Sequence, residues 1–314
     1  MQVTRGGKRM NLEVKDLHKS FEGTEVLHGV SFSISSGKAL GLLGRNGAGK
    51  TTTIRIMMDV FKANSGSMEM DGKPFHPKDY KIGYLPEERG LYPKQKVSEQ
   101  LIYLAQLRGA TKAQAKANLQ RWLKRLGIEE YVDRKLDTLS KGNQQKVQLA
   151  QTLMCDPDIV ILDEPFSGLD PVNSQILKDV VMELINDGKL VIFSSHQMNY
   201  VEEFCEDIII LHHGNVVVSG NLKQIKKDFG ENRMVLSAVN YSLTELKDLL
   251  ETQCQDLLHV HEVKKEELLI ELDKGVSRQD VLQKLLDLEI DVEKFMIYEA
   301  PLQDIFVAKA GDEE

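Results

Sequence analysis

The 314-residue chain is predicted to be an α/β protein, with one large domain on a parallel sheet and a smaller α/β domain after it. Three observations predict this. The short apolar runs Ala39 to Leu43, Ile159 to Leu162 and Leu190 to Phe193 suit strands buried on both faces of a parallel sheet. Long helical patterns with few breakers lie between them, over residues 95–152. The charge balance then shifts after Gly220. Residues 231–314 hold 9 Lys+Arg against 20 Asp+Glu, net −11, leaving net +3 for the rest of a chain whose total is −8.

The elements follow in order. Residues 1–10 carry Arg5, Lys8 and Arg9 with no apolar segment behind them, so they read as a disordered tail and not a signal peptide. Strands are expected near Leu12 to Val14, Leu27 to Ile34 and Ser67 to Met70, with a turn at Asp71-Gly72. Thr52 to Met58, free of Pro and Gly, reads as a helix following the strand at Ala39 to Leu43. Val97 to Gln106, Ala113 to Leu126 and Gln144 to Met154 read as helices. A boundary near residue 228 separates the large domain, 11–228, from the second, 229–314. There, Met234 to Val239, Leu257 to Val263, Leu268 to Leu272 and Ile290 to Tyr298 read as strands. Leu243 to Leu250 and Arg278 to Leu288 read as helices.

Gly44 to Thr51 reads Gly-Arg-Asn-Gly-Ala-Gly-Lys-Thr, a complete G-x-x-x-x-G-K-[ST] phosphate-binding loop in a strand–loop–helix setting. Gly44, Gly47 and Gly49 let the backbone turn tightly. The N–H groups of Arg45, Asn46, Ala48 and their neighbours through Thr52 then face phosphate oxygens at the positive end of a helix. Lys50 would reach the β- and γ-phosphates, and Thr51 would offer its hydroxyl to Mg²⁺. Asp158 to Pro165 supplies the carboxylates. Asp163 emerges at the C-terminal end of its strand as the Mg²⁺ ligand, and Glu164, pointing differently, is placed to polarise a water against the γ-phosphate.

Four further segments resemble, in order, those of the ATP-binding subunits of ABC transporters, and the resemblance covers residues 11–225. Phe21 sits where that family places an aromatic ring against adenine; an aromatic in this region is otherwise core. Leu139 to Asn143, Leu-Ser-Lys-Gly-Asn, is similar to the family's Leu-Ser-Gly-Gly-Gln signature. Through Ser140, Gly142 and Asn143 it would present a helix N-terminus to the ATP of a partner subunit, a role compatible with Ser140 as an ordinary N-cap. Ser167 to Asp170 resembles the D-loop, which adds Asp170 to the nucleotide contacts, and His196 resembles the switch histidine that senses the γ-phosphate.

The resemblance implies a P-loop NTPase core with an antiparallel β subdomain and a helical subdomain at about 95–152, ATP and Mg²⁺ as cofactors, and Glu164 and His196 as catalytic residues. It also implies two partners, a second ATPase subunit, identical or related, and an integral membrane permease subunit at the cytoplasmic face of a bacterial membrane. Leu91-Tyr92-Pro93 would line the docking groove, or simply connect helices. Two departures stand out. Glu87 occupies the place of a family Gln that helps hold magnesium, and its carboxylate is an equally good hard-oxygen ligand. Lys141 and Asn143 replace Gly and Gln in the signature.

Other classes fit less well. Cys155, Cys205 and Cys254 form no C-x-x-C pair, and the longest apolar runs fall far below the roughly 20 residues that span a bilayer. No Asn-Lys-x-Asp guanine-recognition segment appears, and the acidic C-terminal region argues against nucleic acid. The expected function is ATP-driven export through a permease of the ABC-2 type, whose ATPases often carry a C-terminal extension that supports dimerisation or regulation. The alternative is an ABC ATPase of a regulatory or sensing membrane complex.

Overall fold

A computed structural model describes residues 9–88 and 90–311. The tail expected over residues 1–10 lies outside the described residues as far as residue 8. Met10 is not tail. Its N–H donates to Ser36 Oγ at 3.0 Å, and its carbonyl accepts from the Ser36 N–H at 2.8 Å. The chain divides into two compact units, one running to Leu222 and including the residues from Lys309 on, the other Lys223–Ala308. The division falls a few residues ahead of the expected boundary at 228.

The first unit opens with β1 (Asn11–Phe21), β2 (Thr24–Ser35), β3 (Lys38–Gly44), α1 (Lys50–Met57), β4 (Ser65–Met70), β5 (Lys73–Pro74) and β6 (Ile82–Leu85). It continues with α2 (Val97–Leu107), α3 (Lys112–Leu126), α4 (Lys141–Leu153), β7 (Ile159–Asp163), α5 (Pro171–Asn186), β8 (Leu190–Ser194), α6 (Met198–Phe204), β9 (Asp207–His212) and β10 (Asn215–Asn221). β2, β1, β4 and β5 form an antiparallel sheet in that order. β1 runs well past the expected Leu12 to Val14. A register shift between Val14 and Leu17, with Asp16 at φ 52°, breaks the alternation that would have marked the rest as strand.

The second sheet has the order β10-β9-β3-β8-β7-β6, with β9, β3, β8, β7 and β6 mutually parallel. β7 and β8 are buried at every residue, which explains their unbroken apolar sequences. After β3 the chain crosses to the edge strand β6, returns through β7 and β8, and places β9 on the far side of β3. β3 thus lies beside the switch in strand order, where the loops at carboxyl ends diverge to leave a crevice. Between β6 and β7 stand α2, α3 and α4. Their apolar faces bury Leu101, Leu119, Trp122, Leu123, Val147 and Leu153. α3 begins with a capping box, Thr111 with Gln114, and ends at Gly127 with φ 63°.

The second unit contains α7 (Leu222–Phe229) from Lys223 on, β11 (Arg233–Ala238), α8 (Leu243–Gln253), β12 (Leu258–Val263), β13 (Leu268–Leu272), α9 (Arg278–Asp287) and β14 (Val292–Ile297), and most of α10 (Leu302–Ala310). The four strands are antiparallel neighbours in the order β12-β13-β11-β14. This is the βαββαβ arrangement of two split βαβ units, the ferredoxin-like pattern. Its core packs Leu246 and Leu250 of α8 and Val281 and Leu285 of α9 against Met234, Leu236, Leu268 and Ile270 of the sheet.

Candidate functional site

The glycine loop between β3 and α1 needs backbone shapes that only glycine reaches easily. Gly44 has φ 154° and Gly49 φ 105°; a Cβ on Gly49 would lie 2.6 Å from Leu27 Cδ2, and one on Gly44 2.6 Å from the Leu211 carbonyl. The loop therefore rests directly on β2 and β9. A cavity of about 330 Å³ opens over it, lined by Val26, by Arg45 through Thr52, and by Glu87, Asp163 and Glu164. Apart from Val26, which belongs to β2, these gather at the carboxyl ends of three strands of one sheet, β3, β6 and β7, which lie at the same edge because the strands are parallel.

Two of the three acids in the cavity, Asp163 and Glu164, are anchored. Ser194 Oγ donates to Asp163 Oδ1 at 2.7 Å, and the Tyr84 hydroxyl makes a long 3.4 Å bond to Asp163 Oδ2. Burial first, and Asp163 second, push the Tyr84 hydroxyl up to about 12, so it stays a donor. Glu164 takes φ 49°, a left-handed shape costing a non-glycine residue on the order of 1–3 kcal/mol. Its N–H donates to the Ser194 carbonyl at 2.9 Å, Ser195 Oγ donates to its Oε2 at 3.3 Å, and His196 Nδ1 lies 2.8 Å from its Oε1. Glu164 is 5 % exposed while the His196 ring stands 64 % exposed, so the pair has a buried anchor and a free outer edge.

Lys50 curls back over its own loop, donating to the Gly44 carbonyl at 2.6 Å and to the Arg45 carbonyl at 3.3 Å. Burial lowers its ammonium below the ordinary lysine value, against the pull of Glu164, Asp163 and Glu87, which favours the charged form. Three carboxylates against Arg45 and Lys50 leave the cavity lining one positive charge short, which suits a polyphosphate that arrives with a bound cation.

The remaining expected residues lie elsewhere. Ser140 caps α4, accepting from the Asn143 N–H at 3.3 Å, and Asp170 caps α5, accepting from the Asn173 N–H at 2.9 Å. A Cβ on Gly142 would be 2.7 Å from Asn173 Nδ2 and 3.7 Å from Asp170 Oδ2. The starts of α4 and α5 therefore form a second cluster, and none of Ser140, Gly142, Asn143 and Asp170 lines the loop cavity. Phe21 also stands outside the cavity lining. It is 40 % exposed, edge-on to Phe61 at 5.3 Å between ring centres, with Lys19 Nζ 5.0 Å above its ring. Leu91 is buried and Tyr92 exposed at the entrance to α2.

Sequence reasoning passed over Tyr84, Ser194 and Ser195 as functional groups, although a polar residue at the end of an apolar parallel strand is a usable signal. Gln148 was also missed. Its Nε2 donates to the carbonyls of Pro86 and Glu88 at 3.4 and 3.2 Å, tying α4 to the segment that carries Glu87.

A phosphate loop, an acid pair and a histidine gathered at the carboxyl edge of a parallel sheet define a nucleoside triphosphatase. A family model described as ABC transporter matches residues 27–167, and one described as the C-terminal domain of ATP-binding proteins like DrrA1-3 matches 220–310. The ABC transporter ATP-binding protein YhaQ of Bacillus subtilis is 40 % identical over 307 residues, covering 96 % of this chain and 98 % of its own. The lipopolysaccharide export system ATP-binding protein LptB of Haemophilus influenzae is 30 % identical over 232 residues, 72 % of this chain and 96 % of its own. A solved ATP-binding subunit of an ABC transporter superposes with a TM-score of 0.65 at 31 % identity, covering 76 % of this chain and 99 % of that one. The chain belongs to the ATP-binding proteins of ABC transporters. It is accordingly an ATP-binding, ATP-hydrolysing subunit of the kind that dimerises and works with membrane permease components. Among the described residues no helix is long and apolar enough to cross a membrane.

Proposed function

We propose that this subunit powers export of a substrate through a separate permease by closing with a second ATPase subunit around ATP and reopening on hydrolysis. The observation that carries this reading is the separation of the site into two clusters. The loop cavity holds the groups for the phosphates, while Ser140, Gly142, Asn143 and Asp170 gather apart from it, as the two halves of a head-to-tail sandwich require. The export sense is supported by LptB, whose name places it in an export system.

In this reading the backbone N–H groups of Arg45 through Thr52 and the Lys50 ammonium hold the phosphates. Thr51, Asp163 and Glu87 supply a hydroxyl and two carboxylates, a hard-oxygen set that suits Mg²⁺ together with phosphate oxygens. Bound there, the metal would neutralise charge developing on the transferred phosphoryl group. Glu164 orients and deprotonates the attacking water, and His196, held on the Glu164 carboxylate, reaches toward the γ-phosphate from its exposed edge. Phe21 offers an open ring to the adenine. Ser140, Gly142 and Asn143 of the partner cap the same nucleotide from the other side.

The test is affinity capture of Glu164→Gln protein with ATP from detergent-extracted membranes, followed by mass spectrometry. Stoichiometric recovery of a polytopic membrane protein is expected. Recovery of soluble partners alone, from intact membranes, would replace export with the regulatory or sensing complex.

A further inference from the structure

The two segments that carry the reacting groups are irregular. Glu164 to Asp170 joins β7 to α5, and Ser195 to Gln197 joins β8 to α6. Few backbone bonds tie one to the other beyond Glu164 N–H to the Ser194 carbonyl. Besides the contacts of Ser195 and His196 with Glu164, an aromatic stack joins the first of these segments to β8 and α6. The Phe166 ring, two residues past Glu164, lies face to face with Tyr200, four residues past His196, at 3.9 Å between centres and 17° between planes. Phe204 lies parallel to Phe166 within 2°, at 5.8 Å, and Phe193 leans on both at 5.7 and 6.1 Å. Phe166, Phe193 and Phe204 are buried; Tyr200 is half-buried, with Lys178 Nζ of α5 5.2 Å from its ring.

We infer that Tyr200 is a positioning residue for hydrolysis: its ring, clamped on Phe166, sets the place of His196 against Glu164. Contact is made through the ring face, and none of the hydrogen bonds described for this region uses the hydroxyl. Aromatic stacking of this kind fixes distance and orientation together, which a branched aliphatic side chain of similar volume does not. Glu164 holds a left-handed backbone shape and is over-determined only as long as its neighbours stay put. Loss of the stack frees the start of α6, and with it the His196 ring, while the phosphate loop, Lys50 and Thr51 remain undisturbed. The phosphates are held by one set of residues and the water by another, so Tyr200 serves the second set alone.

This inference rests on the roles proposed for Glu164 and His196, and the experiment separates the two. ATPase rates of the full chain are measured over a range of Mg·ATP for Tyr200→Leu, Tyr200→Phe and Glu164→Gln, with a melting curve for each. Tyr200→Leu is expected to lower kcat about tenfold with KM for ATP within about twofold, and Tyr200→Phe to restore the wild-type rate. Phe166→Leu is expected to match Tyr200→Leu, and the double variant to be no slower than the slower single one. Should Tyr200→Leu fail to fold, Tyr200→Met removes the ring with a more adaptable side chain and is read in the same way. A Tyr200→Leu protein with unchanged kcat, a rise in KM in place of a fall in kcat, or a Tyr200→Phe protein as slow as the leucine variant would each overturn the inference. If Glu164→Gln itself remains fully active, the underlying reading of the site fails instead.

Discussion

At the scale of single residues, the cavity separates binding from turnover, and substitutions should separate them too. Lys50 is the buried cation of the phosphate loop and Glu164 a buried carboxylate lining the same cavity. Glu164→Gln keeps the shape and the Ser195 contact but removes the base, so ATP binding should persist while hydrolysis falls about 100-fold or more. Lys50→Ala removes charge-assisted bonds to phosphate, and ATP affinity should drop roughly tenfold or more, measured by calorimetry. A fully active Glu164→Gln enzyme would end the assignment of the water-activating role. Glu87 gives a finer test because it lines the same cavity as Asp163 and Glu164. Glu87→Gln should raise the Mg²⁺ concentration for half-maximal ATPase roughly fivefold, the effect of about 1 kcal/mol of charge attraction in a water-accessible site. An unchanged Mg²⁺ requirement would remove Glu87 from the metal set.

At the scale of elements, the helix starts show how one local device can serve two purposes. Thr111 caps α3 and Ser140 caps α4, each hydroxyl accepting a backbone N–H of the first turn. Either cap changed to Ala should cost about 1 kcal/mol and lower the melting temperature by about 2–4 °C. Only Ser140→Ala should also slow ATP hydrolysis, because only the start of α4 carries the segment proposed to meet a partner's nucleotide. Equal ATPase losses from the two variants would reduce Ser140 to a plain cap. Local signals of this kind are what made the chain readable. The glycine loop, the apolar runs of β7 and β8 and the acid pair at the end of β7 are each written in a few consecutive residues, and their positions hold to within a residue or two. Pairings between distant residues were not readable. Nothing in the period of Leu162 or Phe193 announces that Ser194 holds Asp163 or that Tyr200 stacks on Phe166, because such contacts depend on which strands become neighbours. Likewise the bulge at Asp16 hid most of β1, since a left-handed residue interrupts the two-residue period that marks a strand.

At the scale of the whole molecule, the groups proposed for chemistry all fall in one part of the chain. Every residue lining the phosphate cavity lies between Val26 and Glu164, and His196 and the α4 and α5 caps also precede Leu222. The second unit has its own sheet and its own buried core around Leu236, Leu250, Ile270 and Leu285. It contributes no group to the cavity, so a protein ending at Leu222 should bind ATP within about twofold of the full chain, a change inside the usual scatter for distant, independent sites. Dimer support, one of the two roles expected for the second unit, then becomes separately measurable. In the Glu164→Gln background, ATP should still drive the shortened protein to pair, but at a higher concentration than the full chain needs. Sedimentation across a dilution series with ATP and Mg²⁺ reads that midpoint. A midpoint identical to that of the full chain would show that pairing does not need the residues after Leu222 and would leave regulation as their task. Loss of ATP binding by a cooperatively folded shortened protein would instead show that the second unit shapes the site it does not touch.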